Sequence, residues 1–439
     1  METKKRNYRE FLKYVIPCVI SMAAMAVFTM VDSIFVSKGV GSQALAGINV
    51  VYPVILLVTA FAAMIALGVS TMIASRLAVG EKKRAGTALM NSIWISLIFF
   101  AVVSLPSILF DENIAGLLGA SGEIQTYAAE YLRYYMYFSI PCGLVTILSA
   151  AVRNDGSPTL ASVSLIVSCL FNIFADWLFV FPLQMGVAGA AIATGLSQIL
   201  GLAILLVHFV RRKGELRLSF REKLNMTECR DMVKRGFPEF INQMTTPVIT
   251  VCYNLVLANI LGNPGLEAYA IISQPVGVII MLLLGVADGT QPLFSRYHSL
   301  GDWETNRYYF KKAVELSAFL SILLYAVFFF FGRPVFGIFS SDAGLLDMAV
   351  YGSNLYCLRF MFSAVTMVIA GYFMSIVETK KSVIINIART FVFNVIFVFL
   401  TPYILGKNLV WTGIVFAELT VMLIAIALYR KHRKEVENV

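Results

Sequence analysis

The sequence predicts an all-α polytopic membrane protein with twelve transmembrane helices in two six-helix bundles, related by a parallel pseudo-twofold repeat. Three observations carry this. First, 59% of the 439 residues are hydrophobic and only 14% are charged, against about 25% charged in a typical soluble domain. Second, the apolar residues gather in blocks of roughly 20 or more, long enough as helices to cross a hydrocarbon core about 30 Å thick. The alternating ten-residue segments of a membrane β-barrel are absent. Third, shifting the sequence onto itself by about 221 residues brings its landmarks into register, as an internal repeat does.

Taken in order, the spans fall near 11–36, 45–75, 87–109, 128–152, 159–182, 187–210, 236–260, 266–295, 312–332, 349–376, 382–405 and 409–429. The first follows a basic segment, as a secretory leader would. It is too long for one and meets no small-residue cleavage site, so it reads as helix 1. The repeat lays Pro17 over Pro238, Gly41 over Gly262, Gly68 over Gly289, Asn172 over Asn394, and Gly189 over Gly413. The last match sets Thr194 opposite Glu418. The division is therefore an N-terminal lobe over 1–215 and a C-terminal lobe over 216–439. Six helices per half return each half to its starting side, so two parallel bundles are expected to flank a central cavity.

Net charge is +9, but its placement argues against a nucleic-acid partner. Most Lys and Arg lie at the termini or in alternate loops, as in Lys82-Lys83-Arg84, Arg211-Arg212-Lys213 and Arg430-Lys431. The opposite loops carry little beyond Lys38, Arg333 and Lys407. This asymmetry puts both termini in the cytoplasm of a bacterial inner membrane. The six cysteines have no paired spacing and read as packing residues. No nucleophile–base pair or metal motif occurs, and His208, His298 and His432 stand singly, so an enzyme is not indicated.

Ionisable groups inside spans are costly and point to function. Asp32 lies near the outer end of span 1. Asn172 and Asp176 are four apart on one face of span 5, and Thr194 lies in span 6. At 1.5 Å per residue, all reach a level about 7–10 Å below the outer boundary, with Asn172 one turn deeper. No basic residue in these spans is placed to neutralise the carboxylates, and two carboxylates in low dielectric do not both stay charged cheaply. Carboxylate, amide and hydroxyl are hard ligands that suit Na⁺ or H⁺ and not transition metals. A hydrogen-bonded cluster that only orients helices is the alternative.

In the second half, Arg359 and Glu418 fall at matching depth, and a structural ion pair between them is expected. Arg389 lies in span 11. Glu239, Gln243, Asp288 and Gln291 are candidate substrate contacts toward the cytoplasmic side. Pro17, Pro53, Pro141, Pro247, Pro275 and Pro292 each remove a backbone hydrogen bond within a span, and Pro17 is a candidate hinge.

Certain segments, in this order and spacing, carry a family resemblance: Val31-Asp32-Ser33-Ile34-Phe35-Val36-Ser37-Lys38-Gly39, Gly68 through Arg76, Arg153-Asn154-Asp155-Gly156-Ser157-Pro158, Asn172 to Asp176, Gly189 to Thr194, and Gln291-Pro292. The sequence resembles the multidrug and toxic compound extrusion (MATE) family over nearly all its length, nearest the DinF-like and MepA-like bacterial branch. The resemblance implies export of amphipathic, often cationic compounds in exchange for Na⁺ or H⁺, with no other cofactor. It implies coupling at Asp32, Asn172, Asp176 and Thr194, and bending of helix 1 at Pro17. A second branch places coupling acids on helices 7 and 10. Glu239 would match, but helix 10 offers Arg359. Small molecules and the bilayer are the expected partners, and a monomer is expected. The alternative is a lipid-linked precursor flippase of the wider superfamily, which the scarcity of buried cations disfavours.

Overall fold

The computed structural model describes residues 8–78, 80–211, 214–217, 224–376 and 378–437, all in helices and their connections. In chain order these are α1 (Tyr8–Gly39), α2 (Ser42–Ala78), α3 (Lys82–Leu109), α4 (Asp111–Leu117), α5 (Glu123–Tyr137), α6 (Ser139–Asn154), α7 (Pro158–Val180), α8 (Gly186–Val210), α9 (Met226–Gln243), α10 (Thr245–Leu261), α11 (Asn263–Ser299), α12 (Trp303–Phe336), α13 (Ala343–Tyr356), α14 (Arg359–Ser375), α15 (Thr379–Ile387), a π-helical turn (Ala388–Phe393), α16 (Asn394–Leu405), a 3₁₀ turn (Lys407–Thr412) and α17 (Gly413–Glu437). Among the described residues there is no β-strand.

Among the described residues, eight helices are long and apolar enough to cross a membrane unaided, and three bent pairs bring the number to eleven. With α1, these correspond in order to the twelve expected spans. The pairs are where the structure departs from continuous helices: α5/α6 bend by 52°, α9/α10 by 42° and α13/α14 by 46°. Pro141 and Pro247 explain the first two. A proline ring clashes with the carbonyl four residues earlier, here those of Tyr137 and Gln243, where α5 and α9 end. The third bend has no proline and falls directly before Arg359. Pro17, Pro53, Pro275 and Pro292 sit inside unbroken helices, so α1 is continuous through its candidate hinge.

The chain forms two compact bodies: Phe35–Val251, and Met1–Ile34 together with Cys252–Val439. This differs from the division at 215/216, because each repeat's first helix packs with the other repeat. In the second body, α1 lies on α11, where a Cβ added to Gly285 or Gly289 would stand 2.8 Å from the Cα of Val19 or Val15. Small residues four apart permit such backbone contact in membrane helices. The start of α1 is tied down at Glu10, which pairs with Arg296 (3.2 Å) and accepts from the Tyr297 and Tyr309 hydroxyls (3.0 and 2.7 Å). Around it, Phe11, Val15, Val286, Phe294, Val368, Phe373 and Val421 form a continuous apolar core.

In the first body the same device joins α2 to α9. Gly68 abuts the Met232 carbonyl and Gly236 abuts that of Met64. At the start of α9, Asn225 caps the helix, accepting from Thr227 N–H at 3.0 Å. Its own N–H donates to Asn91 Oδ1 at 2.8 Å, and Glu228 pairs with Arg76 at 2.9 Å.

Candidate functional site

Helices α7 and α8 form an antiparallel hairpin whose register is fixed by glycine at both ends. Gly201 of α8 lies against Ser164 and Ser168 of α7, with the Ser164 hydroxyl donating to the Gly201 carbonyl at 2.8 Å. Gly189 lies against Phe179. Residue pairs advance in opposite directions along such a hairpin, so Thr194 falls opposite the segment 172–176. Asn172 is 6% exposed and Asp176 1% exposed. The Asn172 Nδ2 donor has no hydrogen-bond partner among the described residues. Neither helix supplies a cation here. Helix α7 has no Lys, Arg or His, and the only one in α8 is His208, fourteen residues beyond Thr194, or about 21 Å along the axis. Asn172, Asp176 and Thr194 thus share one level of a single helix pair. Asp32 belongs to the other body. It is half-buried on α1, beside Ser33, whose hydroxyl donates to Gln274 Oε1 at 2.7 Å.

The repeat-related hairpin in the second body is built alike, with Gly413 of α17 packed on Val398 and Phe397 of α16. By the same register Glu418 falls level with Phe393 and Asn394. Glu418 is wholly buried and accepts from Arg389 Nε at 2.7 Å. The expected Arg359–Glu418 pair is therefore corrected: Glu418 is bridged by Arg389. The π turn at 388–393 adds a residue to the winding, and Arg389, on the segment leading into α16, reaches α17 directly. Arg359, on α14, turns back one helical turn instead. It donates to the Tyr356 hydroxyl at 3.0 Å and lies over the Tyr356 and Phe360 rings at 4.5 and 5.0 Å. Both atoms of the Asn394 amide are buried without a hydrogen-bond partner among the described residues.

Two further carboxylate–amide pairs appear at the candidate substrate positions. Exposed Gln243 donates to half-buried Glu239 at 2.9 Å on α9, in the first body. Gln291 donates to Asp288 at 2.8 Å on α11, in the second.

The MatE family profile matches the chain twice, over residues 17–178 and 238–400. The chain belongs to the MatE family. The two matched MatE segments also mark out the internal repeat. Curated relatives include the multidrug export protein MepA of Staphylococcus saprophyticus, 25% identical over 352 residues, covering 79% of this chain and 77% of the relative. MepA of Staphylococcus haemolyticus is 21% identical over 393 residues, covering 89% and 86%. Among solved structures, an inward-facing multidrug resistance MATE family transporter of the MOP superfamily superposes with a TM-score of 0.87, at 22% identity, covering 96% of this chain and 99% of that one. This MatE protein is a multi-pass membrane transporter and not an enzyme.

One arrangement in this MatE chain was not visible in the sequence, where His208 stands alone. At the far end of the α7/α8 hairpin, His208 Nε2 lies 2.8 Å from Asp155 Oδ2, both side chains buried. Asp155 Oδ1 also accepts the backbone N–H of Glu215 at 2.7 Å, so the linker leaving α8 is fastened to the end of α6. Arg153-Asn154-Asp155-Gly156-Ser157-Pro158 explains itself accordingly. Asn154 donates to Ser70 at 2.7 Å, Gly156 takes φ +83, which favours glycine, and Pro158 opens α7, where its missing N–H costs nothing.

Proposed function

We propose that this protein exports amphipathic, often cationic compounds in exchange for Na⁺ or H⁺ by alternating access, with coupling in the first repeat. The observation that carries the reading is the level shared by Asn172, Asp176 and Thr194 in the α7/α8 hairpin. It sets a 1%-exposed carboxylate at the level of an amide and a hydroxyl, in helices with no basic residue nearby. A carboxylate removed from water in that way favours a proton or a hard cation. Asp32 is proposed as the second coupling carboxylate on its sequence position. In the second repeat the matching Glu418 already has a tethered cation in Arg389, which is why coupling is assigned to one repeat. The names of the MepA relatives support drugs as the cargo.

The test is drug efflux from proteoliposomes driven separately by a Na⁺ and a pH gradient. Asp176→Asn and Asp32→Asn are each expected to lower gradient-driven export by at least about tenfold, equivalent to losing about 1.4 kcal/mol of ion binding, while remaining folded. Export unchanged in both variants would sink the coupling assignment. The gradient that drives the wild type identifies the ion.

A further inference from the structure

At the basic end of the second body lies a cleft between the first turn of α12, the end of α14 and the last turns of α17. Trp303 and Arg307 line it from α12, Tyr372 from α14, and Tyr429, His432 and Arg433 from α17. No Asp or Glu is among its described lining residues. Arg307 has no hydrogen bond or ion pair with any described residue.

His432 sharpens the chemistry. It is 5% exposed, and the Lys381 ammonium lies 3.2 Å from its Nδ1. An ammonium can only donate, so Nδ1 accepts and the proton of the neutral ring sits on Nε2. That N–H is buried with no hydrogen-bond partner among the described residues. The nearby carboxylates Glu378 and Glu435 are engaged by Lys381, at 3.7 and 3.3 Å. The cleft thus combines guanidinium groups, a donor lacking an acceptor, and a Trp–Tyr wall of the kind that sits at headgroup level in membranes.

We propose that this cleft binds the phosphate of an anionic phospholipid headgroup. Arginine recognises phosphate oxygens through paired donors, and basic pockets between membrane helices bind lipid headgroups in this way. A free phosphate would satisfy the same groups. The lipid is favoured because the exposed face of α12 that carries Arg307 runs on through Lys311 and Glu315 to Phe319, Ile322 and Leu323. Charged and apolar surfaces are continuous along one helix, as headgroup and acyl chain require.

The experiment is native mass spectrometry of the full-length, delipidated protein offered phosphatidylglycerol, phosphatidylcholine or inorganic phosphate. Phosphatidylglycerol is expected to be retained about tenfold over phosphatidylcholine, which carries the same phosphate but brings a choline cation against the guanidinium groups of the cleft. Arg307→Gln and His432→Phe should each remove most of that preference, while Lys380→Gln, exposed and outside the cleft, leaves it intact. Should His432→Phe fail to fold, the exposed Arg307 decides alone. Inorganic phosphate that is retained by itself and displaces the lipid would keep the anion site and reassign its source. Equal retention of the two lipids, or a preference unmoved by Arg307→Gln, overturns the proposal.

Discussion

At Glu418 a carboxylate beyond the reach of solvent accepts a bond from Arg389 Nε at 2.7 Å, while its second oxygen has no hydrogen-bond partner among the described residues. Removing one member of a buried pair strands the other charge, at about 3–5 kcal/mol, whereas replacing both is often nearly neutral. Arg389→Met is therefore expected to lower the unfolding midpoint of the purified protein steeply. Arg389→Met combined with Glu418→Gln should recover most of the loss. An Arg389→Met protein as stable as the wild type would remove this pair as a source of stability. This pair also marks what the sequence could and could not tell. Counting 1.5 Å per residue puts Arg359 and Glu418 at one depth, but depth says nothing of the direction in which a side chain leaves its helix. The π turn under Arg389 changes that direction, and nothing in Ala388–Phe393 announces it. Thr194 and Asp176 were legible because a five-residue connection ties α7 to α8, so depth along one helix fixes the level on the next.

Among elements, the glycine crossings decide which helices travel together. Gly68 and Gly289 match in the repeat, and each lies where the first helix of the opposite repeat presses its backbone close. The sequence showed the match but not the exchange, because a repeat identifies equivalent positions without saying which copy of a helix fills them. Gly289→Ala would bring a Cβ to 2.8 Å from the Val15 Cα and 3.2 Å from the Cys18 Cβ. Overpacking of this kind costs about 1–3 kcal/mol, so a lower unfolding midpoint is expected. Gly277→Ala, on the same helix with no atom within 4 Å of the added Cβ, should be neutral or slightly stabilising, since alanine is the better helix former by up to about 1 kcal/mol. Equal midpoints for the two variants would remove the close crossing as a source of stability. The proline bends teach a related lesson. Pro141 and Pro247 interrupt their helices while Pro53 and Pro275 do not, because the outcome depends on what surrounds the freed carbonyl, which local sequence does not contain.

For the whole molecule, the distribution of positive charge makes the remaining prediction. Lys82-Lys83-Arg84 opens α3, Arg296 and Arg307 flank the turn between α11 and α12, Lys380-Lys381 opens α15, and Arg430-Lys431 closes α17. Alternate connections all carry such clusters, whereas the turn between α16 and α17 holds a single Lys407. Insertion retains basic loops on the cytoplasmic side, so both termini are predicted to lie there. Five native cysteines sit within helices and Cys357 lies at the α13/α14 bend, and four of the six are buried, which leaves the loops open to a reporter thiol. In intact cells, a cysteine at Lys407 should react with a membrane-impermeant maleimide, and cysteines at Lys82 or Lys431 should react only after the membrane is permeabilised. The opposite pattern would invert the orientation. It would also move the Arg307–His432 cleft from the cytoplasmic leaflet, whose anionic lipids it suits, to the outer face.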